Sequence, residues 1–260
     1  MPTSDKTPVI LVEGLTARFG DNTILENVSF QVFQGEILVI LGGSGCGKST
    51  LLKHLIGLYQ PAAGRVLIHG VDINMDDEAE LRKLRMGFGV LYQSGALFGS
   101  MTVAENVALP LQEYTDLSPA MIHLIVKMKL GLVNLAGYEN HLPEELSGGM
   151  KKRAGLARAM ALDPTVLFFD EPSAGLDPVT SVELDILIKS LNAGMGTTMV
   201  IVTHELESIF NIASRVLMLD KDARGIIAEG DPHELKENST DPRVVNFFNR
   251  LPPGQKKERA

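Results

Sequence analysis

The segment Gly42-Gly43-Ser44-Gly45-Cys46-Gly47-Lys48-Ser49 constrains this chain more than any other. It fits the pattern Gly-x-x-x-x-Gly-Lys-Ser/Thr, follows an apolar run of strand type at residues 36–41, and opens a helical stretch at residues 50–58. Glycines let the backbone curl until several N–H groups point at one anion, and the helix N-terminus adds partial positive charge. In such a loop Lys48 neutralises the outer phosphates and the Ser49 hydroxyl is placed to ligate Mg²⁺, with Thr50 completing the first helical turn. A plain glycine turn needs neither the flanking strand nor the flanking helix.

The rest of the chain fits a covered sheet. Residues 9–12, 24–32 and 66–69 have the period and residue types of strands, with the turn-like Phe19-Gly20-Asp21-Asn22 between the first two. Residues 166–169, 199–202 and 215–219 are short, almost wholly apolar runs, separated by helical stretches at 180–191 and 205–212. Strands apolar on both faces and alternating with helices mark a parallel sheet. Between residues 97 and 163 the pattern turns helical, most clearly at 119–129. The expected fold is α/β, a P-loop NTPase core with an antiparallel β subdomain and a helical subdomain.

Composition narrows the function. With 45% hydrophobic and 22% charged residues in 260, the chain has enough apolar material for a sizeable core. A net charge of -8 argues against general nucleic-acid binding, which needs a basic face. No apolar run approaches the roughly 20 residues that cross a bilayer, so no span is expected. The first residues lack the charged and apolar regions of a secretory signal. The single Cys46 excludes an internal disulfide and fits a reducing compartment.

Two further motifs carry chemistry. Val166-Leu167-Phe168-Phe169 runs into Asp170-Glu171, which places two carboxylates at the C-terminal edge of the sheet, where ligands sit in open α/β folds. Asp170 would hold Mg²⁺ through its water shell, and Glu171 would orient or deprotonate an attacking water. Leu146-Ser147-Gly148-Gly149-Met150 starts a helix with Ser147 as N-cap and two glycines that leave backbone N–H groups open. One chain rarely needs two cradles for one triphosphate, so this second surface is expected to serve the nucleotide of another copy in a head-to-tail pair.

On these residues the chain resembles the ATP-binding cassette (ABC) ATPases, over residues 9–235. The resemblance implies ATP hydrolysis with Mg²⁺ and assigns further roles. Phe19 matches the aromatic that stacks on adenine, usually a tyrosine. Gln93 matches the glutamine that joins Mg²⁺ and water to the helical subdomain. Leu146 to Met150 match the family signature, with Met150 where glutamine is commonest. Ser173-Ala174-Gly175-Leu176-Asp177 matches the loop that crosses the dimer interface, so Asp177 joins the nucleotide-binding set. His204 matches the switch histidine. Glu171, His204, Lys48 and Gln93 are thus the candidate catalytic residues, and Ser49, Gln93 and Asp170 the candidate metal ligands.

The chain is further similar to the ATPases of Mla-type phospholipid transporters, within a wider group that works with Mce-domain proteins. Gln93-Ser94-Gly95-Ala96-Leu97-Phe98, Met101-Thr102-Val103-Ala104-Glu105-Asn106-Val107-Ala108-Leu109-Pro110-Leu111, Met150, Asp241-Pro242-Arg243-Val244 and Phe247-Phe248 carry that likeness. It implies two ATPase copies on the cytoplasmic side of a bacterial inner membrane, beneath permease subunits. An Mce-domain lipid-binding protein would lie on the periplasmic side, with a small STAS-domain protein as a further partner. The expected organisation is an extension at residues 1–8, a cassette at 9–240 with its helical subdomain at about 97–163, and an extension at 241–260 ending in a mobile tail.

Three local expectations follow. Cys46, beside a helix N-terminus and near Lys48, has surroundings that lower a thiol pKa, so it is either a reactive thiol that ATP protects from alkylation or a small, inert packing residue. Lys151-Lys152-Arg153 reads as a solvated or permease-facing helix surface. The phenylalanines of residues 241–250 either cover their own domain or pack on a partner copy.

Overall fold

The computed structural model describes residues 7–251, with ten strands, β1 to β10, and nine α-helices, α1 to α9, numbered along the chain among those residues. The tail expected after Leu251 and most of the N-terminal extension lie outside the described residues. The chain divides into two compact units, Met1–Met75 with Val200–Ala260, and Asp76–Met199.

The first unit holds the antiparallel sheet. β1 (Pro8–Phe19) pairs with β2 (Asn22–Phe33) and with β4 (Ala63–Ile68), and β5 (Val71–Asp72) follows in the order β2-β1-β4-β5. Ile10, Val12, Leu15 and Ala17 of β1 are buried. The step from spacing two to spacing three in that series coincides with a register shift between Val12 and Leu15, a bulge that keeps the apolar side chains on the core face.

The same unit carries β3 (Ile37–Gly42), β9 (Arg215–Asp220) and β10 (Gly225–Gly230) in the order β10-β9-β3-β8, where β8 (Thr198–Val202) is the strand through which the division into units passes. Every residue of β3 and of β8 is buried, as covered parallel strands require. β3 runs parallel to β9, and β9 returns antiparallel into β10. Arg215 joins these strands, bonding Glu36 at 2.6 Å, Glu229 and the Gln31 carbonyl at 2.6 Å.

Helices α1 (Lys48–Leu55), α7 (Leu206–Ile212), α8 (Pro232–Asn238) and α9 (Pro242–Phe248) complete the unit. The last two begin Asp-Pro, the aspartates accepting N-terminal amides while proline takes a position that has no N–H to satisfy. Phe248 is buried with its ring 5.7 Å from that of Phe210 on α7, and Arg243 bonds Asp220 at 2.9 Å. Of the two expectations for residues 241–250, cover for their own unit describes this packing.

The second unit contains β6 (Phe88–Leu91) and β7 (Val166–Asp170), parallel and ordered β8-β7-β6. Its helices are α2 (Glu78–Met86), α3 (Val103–Tyr114), α4 (Pro119–Leu132), α5 (Gly148–Ala159) and α6 (Pro178–Met195). Thr102 and Glu105 form a reciprocal capping box at the start of α3. A side chain on Gly89 of β6 would collide with the Ala159 carbonyl, so α5 lies directly on that strand.

The α/β fold expected from the sequence is the one observed. Strands β5 and β10 and helices α2, α8 and α9 were not anticipated. They are short or strongly polar, and lack the long apolar periodicity that betrays an element. No helix among the described residues is long and apolar enough to cross a membrane.

Candidate functional site

In the first unit, Gly42 ends β3 with φ 145° and opens the phosphate loop. A Cβ there would run into the Leu219 carbonyl and the Cys46 sulfur, so only glycine lets the strand turn beside β9. Gly47, at φ 102°, caps α1, and a Cβ on it would come within 2.9 Å of Leu25. Around Gly43 and Gly45 there is open space instead, on the side where an anion must enter. The Lys48 ammonium donates to the carbonyls of Gly42 at 2.9 Å and Gly43 at 3.1 Å, which holds it over the loop. Ser44 and Ser49 are exposed and Thr50 half-buried.

Of the two readings of Cys46, the packing residue is the one the structure supports. The residue is 3% exposed, and burial pushes the thiol pKa up, outweighing the lowering by Lys48. The helix terminus and the lysine were legible in the sequence, but the packing of the sulfur against Gly42 was not. Cys46 belongs to the loop as a packed residue.

Phe19 lies at the tip of β1, 47% exposed, its ring edge-on to Tyr59 at 5.4 Å. Tyr59 also meets His54 at 5.8 Å and the Lys53 ammonium at 5.4 Å. The sequence pointed to Phe19 and missed its neighbour. His204 stands in the loop between β8 and α7, its ring exposed and its Nε2 3.9 Å from a Glu205 carboxylate oxygen. Thr203 anchors that loop, donating its amide to the Ile40 carbonyl at 3.2 Å and accepting the Glu205 amide at 3.1 Å.

In the second unit, Asp170 ends β7 and Glu171 follows with φ 48°, a left-handed conformation unusual for a residue with a side chain. Asp177 caps α6, accepting the amides of Val179 and Thr180 at 3.1 Å and the Thr180 hydroxyl at 2.6 Å. The bonds from Thr180 hold the Asp177 carboxyl below the usual carboxylate range. Ser147 caps α5 as expected, accepting the Met150 amide at 3.2 Å, and Ser147 and Gly148 are exposed while Gly149 is buried beside Thr180.

Gln93 is exposed in the loop after β6. Two residues hold that loop: Arg158, which sequence reading passed over, and Asn106, which it quoted only as part of a likeness. Arg158 of α5 donates to the carbonyls of Ala96 at 2.8 Å and Gly95 at 3.0 Å and lies 5.9 Å from the Phe98 ring. Asn106, fully buried in α3, accepts the Phe98 amide at 2.8 Å and donates to the carbonyls of Phe98, Met101 and Thr102. A buried asparagine one turn into a helix was the available signal, because such an amide has to find partners.

Lys151-Lys152-Arg153 departs from expectation. Lys152 is 5% exposed, and Arg153 bonds Glu183 of α6 at 2.7 Å. Helical spacing turns the middle of the run inward, which a count of charges conceals.

A Mg²⁺ ion fits the oxygen donors proposed for it. A hydroxyl, a carboxylate and an amide oxygen from Ser49, Asp170 and Gln93 suit a hard cation, and no group of three or more His, Cys, Asp or Glu able to hold a metal occurs among the described residues.

Known proteins resemble this chain in sequence and in fold. A model of the family described as ABC transporter matches residues 25–174. The probable ribonucleotide transport ATP-binding protein mkl of Mycobacterium tuberculosis is 45% identical over 240 residues, 92% of this chain and 66% of that protein. The chain thus spans about two thirds of that relative. The intermembrane phospholipid transport system ATP-binding protein MlaF of Haemophilus influenzae is 43% identical over 240 residues, 92% of this chain and 90% of that one. Among solved structures, cbiO1 from Clostridium perfringens, part of the ABC transporter complex cbiONQ, has a TM-score of 0.81 and 29% identity, covering 92% of this chain and 95% of its own. The ATP-binding cassette MJ0796, a dimer bound to ADP and Pi, has a TM-score of 0.76 and 32% identity, covering 85% of this chain and 98% of its own. This chain belongs to the ABC transporter family, as an ATP-binding protein that hydrolyses ATP.

Proposed function

We propose that this cassette energises the movement of phospholipid between the inner and outer membranes of a bacterium, maintaining the lipid asymmetry of the outer one. The observation that carries this reading is the likeness to the phospholipid transport protein of Haemophilus influenzae, which extends over nine tenths of that protein. The loop after Gln93 and helix α9 with its cap Asp241 add to it, because those segments carried the same likeness in the sequence.

The chemistry assigned to each residue follows from its type and place. Amides of the phosphate loop and Lys48 bind the β and γ phosphates, and Phe19 stacks on adenine. Mg²⁺, when bound, neutralises charge on the phosphate oxygens. Ser49, Asp170 and Gln93 hold it, Asp170 through water. Glu171 accepts a proton from the attacking water, and His204 orients the outermost phosphate. Ser147, Gly148 and Gly149 face the nucleotide of a second copy, and Asp177 ends the loop that meets that copy. ATP shared in this way closes the pair, and loss of the γ-phosphate loosens it. The loop at residues 93–102, held by Arg158 and Asn106, passes that movement to a membrane subunit.

With no membrane-crossing helix among the described residues, the cassette works from the cytoplasmic face through permease subunits, with an Mce-domain protein on the periplasmic side and a STAS-domain protein as a further partner. A second reading has its own observation. The mycobacterial relatives, at 45% identity, are named for ribonucleotide transport, so another lipid, a hydrophobic compound or a nucleotide is the competing cargo. The experiment is to purify the tagged chain from detergent-solubilised membranes and identify what accompanies it. Recovery with membrane subunits and enriched phospholipid supports the proposal. Another cargo supports the second reading, and recovery only in the soluble fraction would point to a cassette outside transport.

A further inference from the structure

Lys152 sits in the second turn of α5 with only 5% of its surface exposed, a rare position for a lysine. Its Nζ donates to the carbonyls of Pro172 and Ala174, the latter at 2.6 Å, and stands 3.4 Å from the carbonyl of Glu171. An ammonium has three protons to place, and three carbonyls of one short segment surround it. Burying a charge is costly unless fixed dipoles replace its water.

That segment needs holding. Glu171 keeps a left-handed backbone at φ 48°, a strained conformation for a residue with a side chain that persists only where the surroundings over-determine it. Ser173, two residues on, has its hydroxyl buried with no hydrogen-bond partner, so that side chain does not fix the turn. Burial lowers the Lys152 pKa, and the Glu171 carboxylate opposes that shift.

We propose that Lys152 is a positioning residue for ATP hydrolysis: its ammonium fixes the backbone of residues 171–174 and ties it to the helix that begins at Ser147-Gly148-Gly149. The proposal rests on the reading of Glu171 as the base. The same helix holds the loop after Gln93, since Gly155 is pressed against Gly95 and Arg158 bonds the Gly95 and Ala96 carbonyls. Helix α5 is then a common bar for these two loops. A shift at its N-terminus, where a second copy's nucleotide is proposed to bind, reaches Glu171 through Lys152.

The test uses the purified full chain and four forms: wild type, Lys152→Met, Lys152→Arg and Glu171→Gln. Lys152→Met keeps the length and removes the charge and donors. Turnover at saturating ATP should fall about 10- to 10²-fold, the scale of a misplaced catalytic group, while the ATP dissociation constant stays within about twofold, because the phosphate loop is untouched. Hydrogen exchange should speed at residues 173–177 and not in α1. Lys152→Arg should recover most of the turnover.

Wild-type turnover in Lys152→Met overturns the proposal, and so does loss of turnover and ATP binding together with exchange raised everywhere, the mark of a general destabilisation. Should Lys152→Met unfold at the assay temperature, Lys152→Gln, which keeps two donors, is read by the same criteria. Glu171→Gln separates the two readings. If it retains turnover, the assignment of Glu171 fails whatever Lys152 does. If it is inactive and Lys152→Met is normal, only the present proposal fails.

Discussion

Gly155 of α5 and Gly95 of the loop after β6 are in backbone contact: a Cβ on Gly155 would lie 2.8 Å from the Gly95 carbonyl oxygen and 3.1 Å from its Cα. Neither atom can swing aside. Gly155→Ala gains roughly 0.5–1 kcal/mol of helix propensity, but overpacking against rigid backbone costs about 1–3 kcal/mol. The variant should therefore be less stable than wild type. Gly131, inside α4 with open space where its Cβ would go, supplies the control, and Gly131→Ala should be more stable. Thermal unfolding of the two variants reads the opposite signs directly.

Gly148→Asp tests the second cradle. A Cβ at Gly148 meets only Leu176, at 3.7 Å, so the fold accepts a side chain. A carboxylate there should repel the γ-phosphate of the facing copy. ATPase activity of the assembled complex should be abolished while the monomer binds nucleotide with unchanged affinity. Equal loss of both would contradict the assignment.

His54 should make stability depend on pH. It is 2% exposed, its Nδ1 lies 2.8 Å from the Thr50 carbonyl, and burial depresses its pKa, the hydrogen bond opposing this in part. The unfolded value is about 6.5, so below that pH the unfolded chain takes up a proton that the folded one resists. The contribution is complete above the unfolded value and is lost as pH falls toward the folded one. Melting temperatures between about pH 7.5 and about pH 5.5 should fall more steeply for wild type than for His54→Gln.

Cys46 should label slowly. Its burial and raised pKa leave neither thiolate nor access for an alkylating reagent. Iodoacetamide is expected to modify the native chain only slowly, with or without ATP, and the guanidinium-unfolded chain quickly. Fast native labelling blocked by ATP would restore the reading as a reactive thiol.

Much of this molecule is legible in its sequence, for identifiable reasons. The phosphate loop is local: Gly42, Gly47, Lys48 and Ser49 lie within one turn and its flanks, so eight residues state the whole geometry. The buried strands β3, β7 and β8 announce themselves as unbroken apolar runs. What escaped depends on residues distant in sequence. Lys152 looks like a surface charge until Pro172 and Ala174 are brought to it, and Arg158 until Gly95 and Ala96 are. Cys46 illustrates the converse, since the helix terminus and lysine that lower a thiol pKa were visible and the burial that raises it was not.

The most direct test of the account is the turnover of Glu171→Gln, measured beside its ATP affinity in the complex purified with its membrane subunits. The substitution keeps the size of the side chain and removes the base. Hydrolysis should slow by roughly 10²- to 10⁴-fold, with ATP binding and closure of the paired cassettes intact. Turnover near that of wild type would contradict the account, because the carboxylate after β7 would then not be the group that activates water.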